Sequence, residues 1–126
     1  MIEVSIIICT YNRDRYLSDA LESFSNQSLS AERFEIIVVN NNCTDGTSKI
    51  CSDFSKKNPL LNFVEVVEAR QGLSNARNKG IQSANSEIIA FMDDDAIATD
   101  NYIEQILFYE KNCPRLMICK HLYLFQ

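Results

Sequence analysis

Three consecutive aspartates, Asp93, Asp94 and Asp95, follow directly on the apolar run Ile88-Ile89-Ala90-Phe91-Met92. Nothing about folding requires them. Two like charges about 4 Å apart cost about 4 kcal/mol at an effective dielectric near 20, so clustered carboxylates at a strand end take raised pKa values unless a cation shares them. Mg2+ and Mn2+ are hard ions that accept carboxylate and phosphate oxygens while keeping waters, so one or two carboxylates are enough to hold one. In an extended segment alternate side chains share a face, which makes Asp93 and Asp95 the useful metal pair and points Asp94 elsewhere. The plain alternative is a solvated loop end.

A second polar set follows the first apolar run, Val4 to Cys9. Thr10, Tyr11 and Asn12 supply a hydroxyl, an aromatic ring and an amide, the groups that stack on and hydrogen-bond a flat heterocycle. Asn40, which closes the run from Glu35, adds an amide that both donates and accepts. Together they suggest a nucleobase site with an acidic cluster across a cleft. The carboxylates would hold a divalent cation, and the cation a diphosphate. Neither a Gly-x-Gly-x-x-Gly fingerprint nor a Gly-x-x-x-x-Gly-Lys phosphate loop follows the first run, and the glycine-rich, Arg-containing loop of a sugar nucleotidylyltransferase is missing too.

The elements that must position these residues alternate along the chain. Short β-branched runs at Val4 to Cys9, Glu35 to Asn40, Asn62 to Val67 and Glu87 to Met92 read as strands. Between them, helical spacing places Leu17, Ala20, Leu21 and Phe24 on one stripe from about Arg13 to Asn26. Thr44-Asp45-Gly46-Thr47 caps a helix carrying Ile50 and Phe54, which stops before Asn58-Pro59. Another helix runs from Leu73 to Ser83, with Leu73, Ala76, Gly80, Ile81 and Ala84 inward. Thr99-Asp100 precedes a last helix with Ile103, Ile106 and Leu107. This order predicts an α/β fold, a mainly parallel sheet with flanking helices and right-handed crossovers. Ligands of such sheets bind beyond the carboxyl ends of the strands, where both polar sets fall.

Composition narrows the partners. The 126 residues suit one domain or a piece of one and carry a net charge of -5, which disfavours nucleic acid as a partner. Five cysteines without a Cys-x-x-Cys pair, and a single histidine, His121, read as reduced structural thiols and point to the cytoplasm. No run approaches the ~18 apolar residues of a membrane span, and Glu3, not a basic region, precedes the first apolar run.

Four stretches in order, "SIIICTYNRDRYLSDALES", "EIIVVNNNCTDGT", "GLSNARNKGI" and "SEIIAFMDDDA", resemble the family 2 glycosyltransferases of the GT-A fold. The resemblance runs from Val4 to Ala96. It implies a GT-A-like (Rossmann-like) sheet and a transferase that uses a nucleoside-diphosphate sugar, commonly a UDP-sugar, with Mg2+ or Mn2+. It places Thr10, Tyr11 and Asn12 along the base, Asn40 on the base edge, and Arg77 near the base or diphosphate. Asp93 and Asp95 match the Asp-x-Asp motif, Asp93 toward the ribose or the metal's waters and Asp95 toward the metal. The implied reaction is displacement at the anomeric carbon with inversion, to a glycan, lipid or protein hydroxyl.

The chain departs from the family pattern twice. Asn40 stands where the family most often has an aspartate, so a bond to a base N–H loses its charge assistance. The family's catalytic base lies well beyond the Asp-x-Asp motif, whereas 31 residues follow Asp95 and residues 97–126 do not look like the family's continuation. The expectation is therefore a truncated domain whose base lies beyond residue 126, self-associating through Leu116 to Phe125 or an open sheet edge. A fragment that binds donor without turnover is the competing class. Phosphoryl transfer by an aspartyl nucleophile is a third, disfavoured because such a pair normally follows the first strand.

Overall fold

The computed structural model describes residues 1–112 and, in their backbone, residues 122–124. Five parallel strands form one sheet in the order β3-β2-β1-β4-β5, namely β1 (Val4–Thr10), β2 (Phe34–Asn40), β3 (Asn62–Val67), β4 (Ile89–Phe91) and β5 (Leu122–Leu124). Helices α1 (Asp14–Glu22), α2 (Thr47–Lys57), α3 (Leu73–Ser83) and α4 (Tyr102–Asn112) complete the predicted alternation. The segment from Leu116, in which self-association was expected, lies outside the described residues apart from the backbone of 122–124.

β1 and β2 are apolar at successive positions because both of their faces are covered. Ile6, Ile8, Ile36 and Val38 belong to a core shared with Leu17, Leu21, Phe24, Phe54, Ile103 and Ile106. Ile7, Ile37 and Val39 alternate to the opposite face and pack with Ala76 of α3 and with Phe91. The inner face of α3 is narrower than its sequence predicts. Ala76 and Gly80 are buried, but Leu73 is 55% and Ile81 42% exposed. Small residues let α3 lie close on β1 and β2, and the larger ones stay at its margins.

β4 is shorter than the predicted strand. Its backbone pairing begins with the Ser5 N–H donating to the Ile88 carbonyl and ends with the Met92 N–H donating to Ile7, at 2.9 and 3.0 Å. At the amino edge the buried carboxylate of Glu35 receives the Ser5 hydroxyl at 2.6 Å, the Asn85 N–H at 2.7 Å and the Asn85 amide at 2.9 Å. One carboxylate thus fastens the α3–β4 connection across β1 and β2.

Gly80 sets the spacing of α3. A Cβ there would lie 2.5 Å from Ile7 Cγ2 and 3.3 Å from Val39 Cγ2. Alanine in place of glycine favours a helix by about 1 kcal/mol. Overpacking against two buried branched side chains costs about 1–3 kcal/mol and is the larger effect. Gly80→Ala is therefore expected to lower the urea midpoint of unfolding; a raised midpoint would show that α3 can lift off the sheet at little cost.

Candidate functional site

Thr10 and Asn40 are paired in register, so β1 and β2 end at the same level. β4 stops lower, opposite Ile7, and the aspartates that follow rise alongside the last residues of β1. They do so as a turn, closed by the Ala96 N–H on the Asp93 carbonyl at 3.1 Å, and not as the extended segment assumed from sequence. Asp93 and Asp95 nonetheless both face solvent. Asp94 is buried against β1, where its Oδ2 accepts the Thr10 hydroxyl at 2.9 Å.

Arg13, just before α1, pairs with both remaining sides of this turn. Its Nη2 lies 3.0 Å from Asp95 Oδ2 and its Nε 3.4 Å from Asp94 Oδ1. Burial pushes the Asp94 carboxyl above its ordinary pKa, Thr10 and Arg13 oppose the shift, and Asp95 and Asp93 reinforce it. Among the described residues the Asp93 carboxylate has no hydrogen-bond or ion-pair partner. No three Asp, Glu, His or Cys side chains there form a closed metal cage. A hard divalent ion that keeps its waters needs none, and Asp93 with Asp95 offers the oxygen donors it takes. The residues fit such an ion.

Beside the turn, across Thr10, lies a cavity of about 250 Å³ lined in part by Tyr11, Asn41, Gly72, Leu73 and Ala76. Cys9 also lines it, and burial pushes that thiol up to about 11, so it is protonated at neutral pH. Asn41 builds the far wall. Its buried amide donates to the carbonyls of Glu68 and Arg70 at 3.0 and 2.9 Å and accepts the Gly72 N–H at 2.9 Å. Gly72 has φ 137°, a conformation open in practice to glycine. A larger cavity of about 490 Å³ lies between α1 and α2, lined in part by Leu21, Ile50 and Phe54, and holds none of the site residues.

The structure brings Thr10 and Tyr11 to the cavity and treats the other base-side residues differently. Asn40 is buried, with its oxygen accepting the Cys43 N–H at 2.8 Å and its nitrogen donating to Glu65 at 2.9 Å and Ser48 at 3.3 Å. Asn12 takes the left-handed conformation, φ 50°, and its side-chain oxygen accepts the Thr44 N–H at 2.8 Å. Arg77 lies with its guanidinium carbon 5.6 Å from the centre of the Phe91 ring, and among the described residues it forms no ion pair. Sequence reasoning placed Asp94 on this edge pointing away from the metal pair, as it does, but assigned no role there to Arg13, Asn41 or Gly72. The available signals were the second amide of Asn40-Asn41 and the glycine just ahead of α3.

The loops that carry the site are fastened to each other. Asp45 accepts the Asp14 N–H at 3.0 Å, and Asp14 in return accepts the Gly46 N–H at 2.9 Å, so each caps the helix start of the other loop. Burial works against ionised Asp45, but bonds from Thr47 and from the Asp14 and Thr47 N–H groups outweigh it and hold its carboxyl below the usual range.

A parallel sheet of this order, covered on both faces and carrying an aromatic-edged cavity beside an acidic turn, has the architecture of the GT-A fold. The chain belongs to glycosyl transferase family 2, whose model matches residues 5–123, including most of the segment beyond Ala96. It is 34% identical over 118 residues to the putative glycosyltransferase EpsH of Bacillus subtilis, covering 94% of this chain and 33% of that protein. The minor teichoic acid biosynthesis protein GgaB of the same organism is 32% identical, with 87% of this chain and 12% of that protein covered. Among solved structures, Staphylococcus aureus TarS in complex with UDP-GlcNAc superposes with a TM-score of 0.79 at 24% identity, over 87% of this chain and 31% of that one. The mannosyltransferase PcManGT of Pyrobaculum calidifontis, in complex with GDP-Man and Mn2+, gives 0.73 at 28% identity over 76% and 28%. The chain thus spans a third or less of these relatives.

The raised pKa of Asp94 gives a stability prediction of definite sign. Between the ordinary aspartate pKa near 4 and the raised folded value, the folded state binds more protons than the unfolded one, so metal-free stability falls as pH rises through that window. Asp94→Asn removes the titration and can still accept the Thr10 hydroxyl. Its stability relative to the parent protein is expected to improve from pH 3 toward pH 7 in urea unfolding. A difference that stays flat or reverses would contradict the shift.

Proposed function

We propose that this chain is the donor-binding part of a glycosyltransferase, taking a nucleoside-diphosphate sugar, specifically a UDP-sugar, through Mg2+ or Mn2+ for transfer to an acceptor hydroxyl with inversion. The observation that carries this reading is the double use of Thr10. Its residue lines the cavity while its hydroxyl bonds Asp94, so an aromatic-edged pocket and an acidic turn share a wall. A base against Tyr11 would send its diphosphate toward the carboxylates.

The roles divide by environment. Tyr11 and Thr10 face the base. Asn40 and Asn12 serve this face by holding the loops behind it, because the amide of Asn40 and the side-chain oxygen of Asn12 are already engaged. Asp95 holds the ion, with Asp93 reaching the ribose or the ion's waters, and Arg77 supplies a cation without an acidic partner among the described residues. When bound, the ion neutralises the diphosphate and stabilises its departure. The general base is assigned to no residue of this chain. The structures of TarS with UDP-GlcNAc and of PcManGT with GDP-Man and Mn2+ support a nucleoside-diphosphate sugar as donor and a divalent ion beside it.

The free thiols of Cys9, Cys43 and Cys51 suit a reducing compartment, which supports a cytoplasmic site. No helix among the described residues is long and apolar enough to cross a membrane. At the β3 edge of the sheet, Val64 and Val67 are exposed, a surface on which two copies could meet.

Because the general base is assigned to none of these residues, donor binding without turnover is the second reading. Calorimetry with UDP, with and without Mn2+, alongside Asp95→Asn, tests the common core of both. UDP binding is expected to require Mn2+ and to weaken at least about tenfold in the variant, the scale of losing one charged contact. No binding in either condition by a folded protein would overturn the proposal. Measurable release of free sugar from a UDP-sugar would then favour turnover over binding alone.

A further inference from the structure

The charge of the acidic turn is answered by Arg13. The guanidinium lies 3.0 Å from Asp95 and 3.4 Å from Asp94, and its carbon stands 5.0 Å from the centre of the Tyr16 ring. This is an odd place for a cation. Arg13 occupies the N-cap position of α1, where the helix presents the positive end of its dipole. The two aspartates and the aromatic face offset that disadvantage and fix the guanidinium over the turn.

The same Asp95 oxygens are those proposed to hold the divalent ion. One of them, Oδ2, already accepts a hydrogen bond from Arg13, and an ion on this carboxylate would bring two positive charges beside the guanidinium. The two cations cannot both be held at full strength. Arg13 has somewhere to remain when displaced, since its Nε contact to Asp94 and its stacking on Tyr16 do not use Asp95.

We infer that Arg13 is an internal stand-in for the divalent ion, holding the acidic turn closed in the metal-free protein and giving up Asp95 when the ion binds. Metal affinity is then the outcome of an exchange between two cations and not of simple filling. This rests on the donor-binding reading above and adds to it a residue that regulates loading of the site.

Free Mn2+, followed by its paramagnetic resonance signal at saturating UDP, distinguishes the two claims. Arg13→Gln is expected to bind Mn2+ about three- to tenfold tighter than the parent protein, the scale of losing an exposed competing ion pair plus its repulsion. Arg13→Lys, whose ammonium cannot span both carboxylates, should fall between them and gives an independent test if the glutamine variant folds poorly. Unchanged or weaker Mn2+ binding by folded variants would overturn the stand-in and leave the proposed function intact. Failure of the folded parent and variants alike to take up Mn2+ with UDP would overturn the proposed function and this inference with it.

Discussion

β1 has a neighbour on each side, and both run in its own direction. That single arrangement aligns the carboxyl ends of β1 and β2, and it leaves β4 ending low enough for the next three residues to climb beside Thr10. It also buries β1 on both faces, since the crossovers demanded by parallel pairing place helices above and below. Gly80 and Glu35 serve the same arrangement from opposite directions. One lets α3 approach Ile7, and the other pins the connection that delivers β4.

What the sheet aligns, the loops must hold still. Loops at a strand edge carry backbone groups without ladder partners, and here side chains from neighbouring loops satisfy several of them. Asn40 takes Cys43, Asn12 takes Thr44, Asn41 takes Gly72 and two carbonyls, and Asp14 and Asp45 exchange helix caps. The acidic turn stands apart. Its exposed carboxylates are answered by a single arginine among the described residues, and Asp93 has no such partner, so this part of the edge keeps capacity for something else.

The alternation of strands and helices was legible because each element repeats a pattern many residues long. Ile6, Ile7 and Ile8, apolar in succession, announce a doubly covered strand, and Leu17 with Leu21 announces a helical stripe. The site was legible in its types and less so in its geometry. Where β4 stops depends on its pairing with Ile7, a nonlocal fact, so the change from strand to turn before Asp94 could not be read from the aspartates themselves. Asn40 and Asn41 look alike in sequence, yet alternation along the chain end sends one to a network with Glu65 and the other to the cavity wall. The reciprocal caps of Asp14 and Asp45 join residues 31 apart and leave no local trace.

The central claim is that one edge holds a base in the cavity beside Tyr11 and a diphosphate-bound ion at the turn. A crystal structure with UDP and Mn2+ tests it directly. The account predicts the ring in the cavity bounded by Tyr11 and Gly72, Mn2+ within bonding distance of an Asp95 oxygen, and the diphosphate between them. Nucleotide seated elsewhere, such as between α1 and α2, or Mn2+ away from the three aspartates, would contradict it.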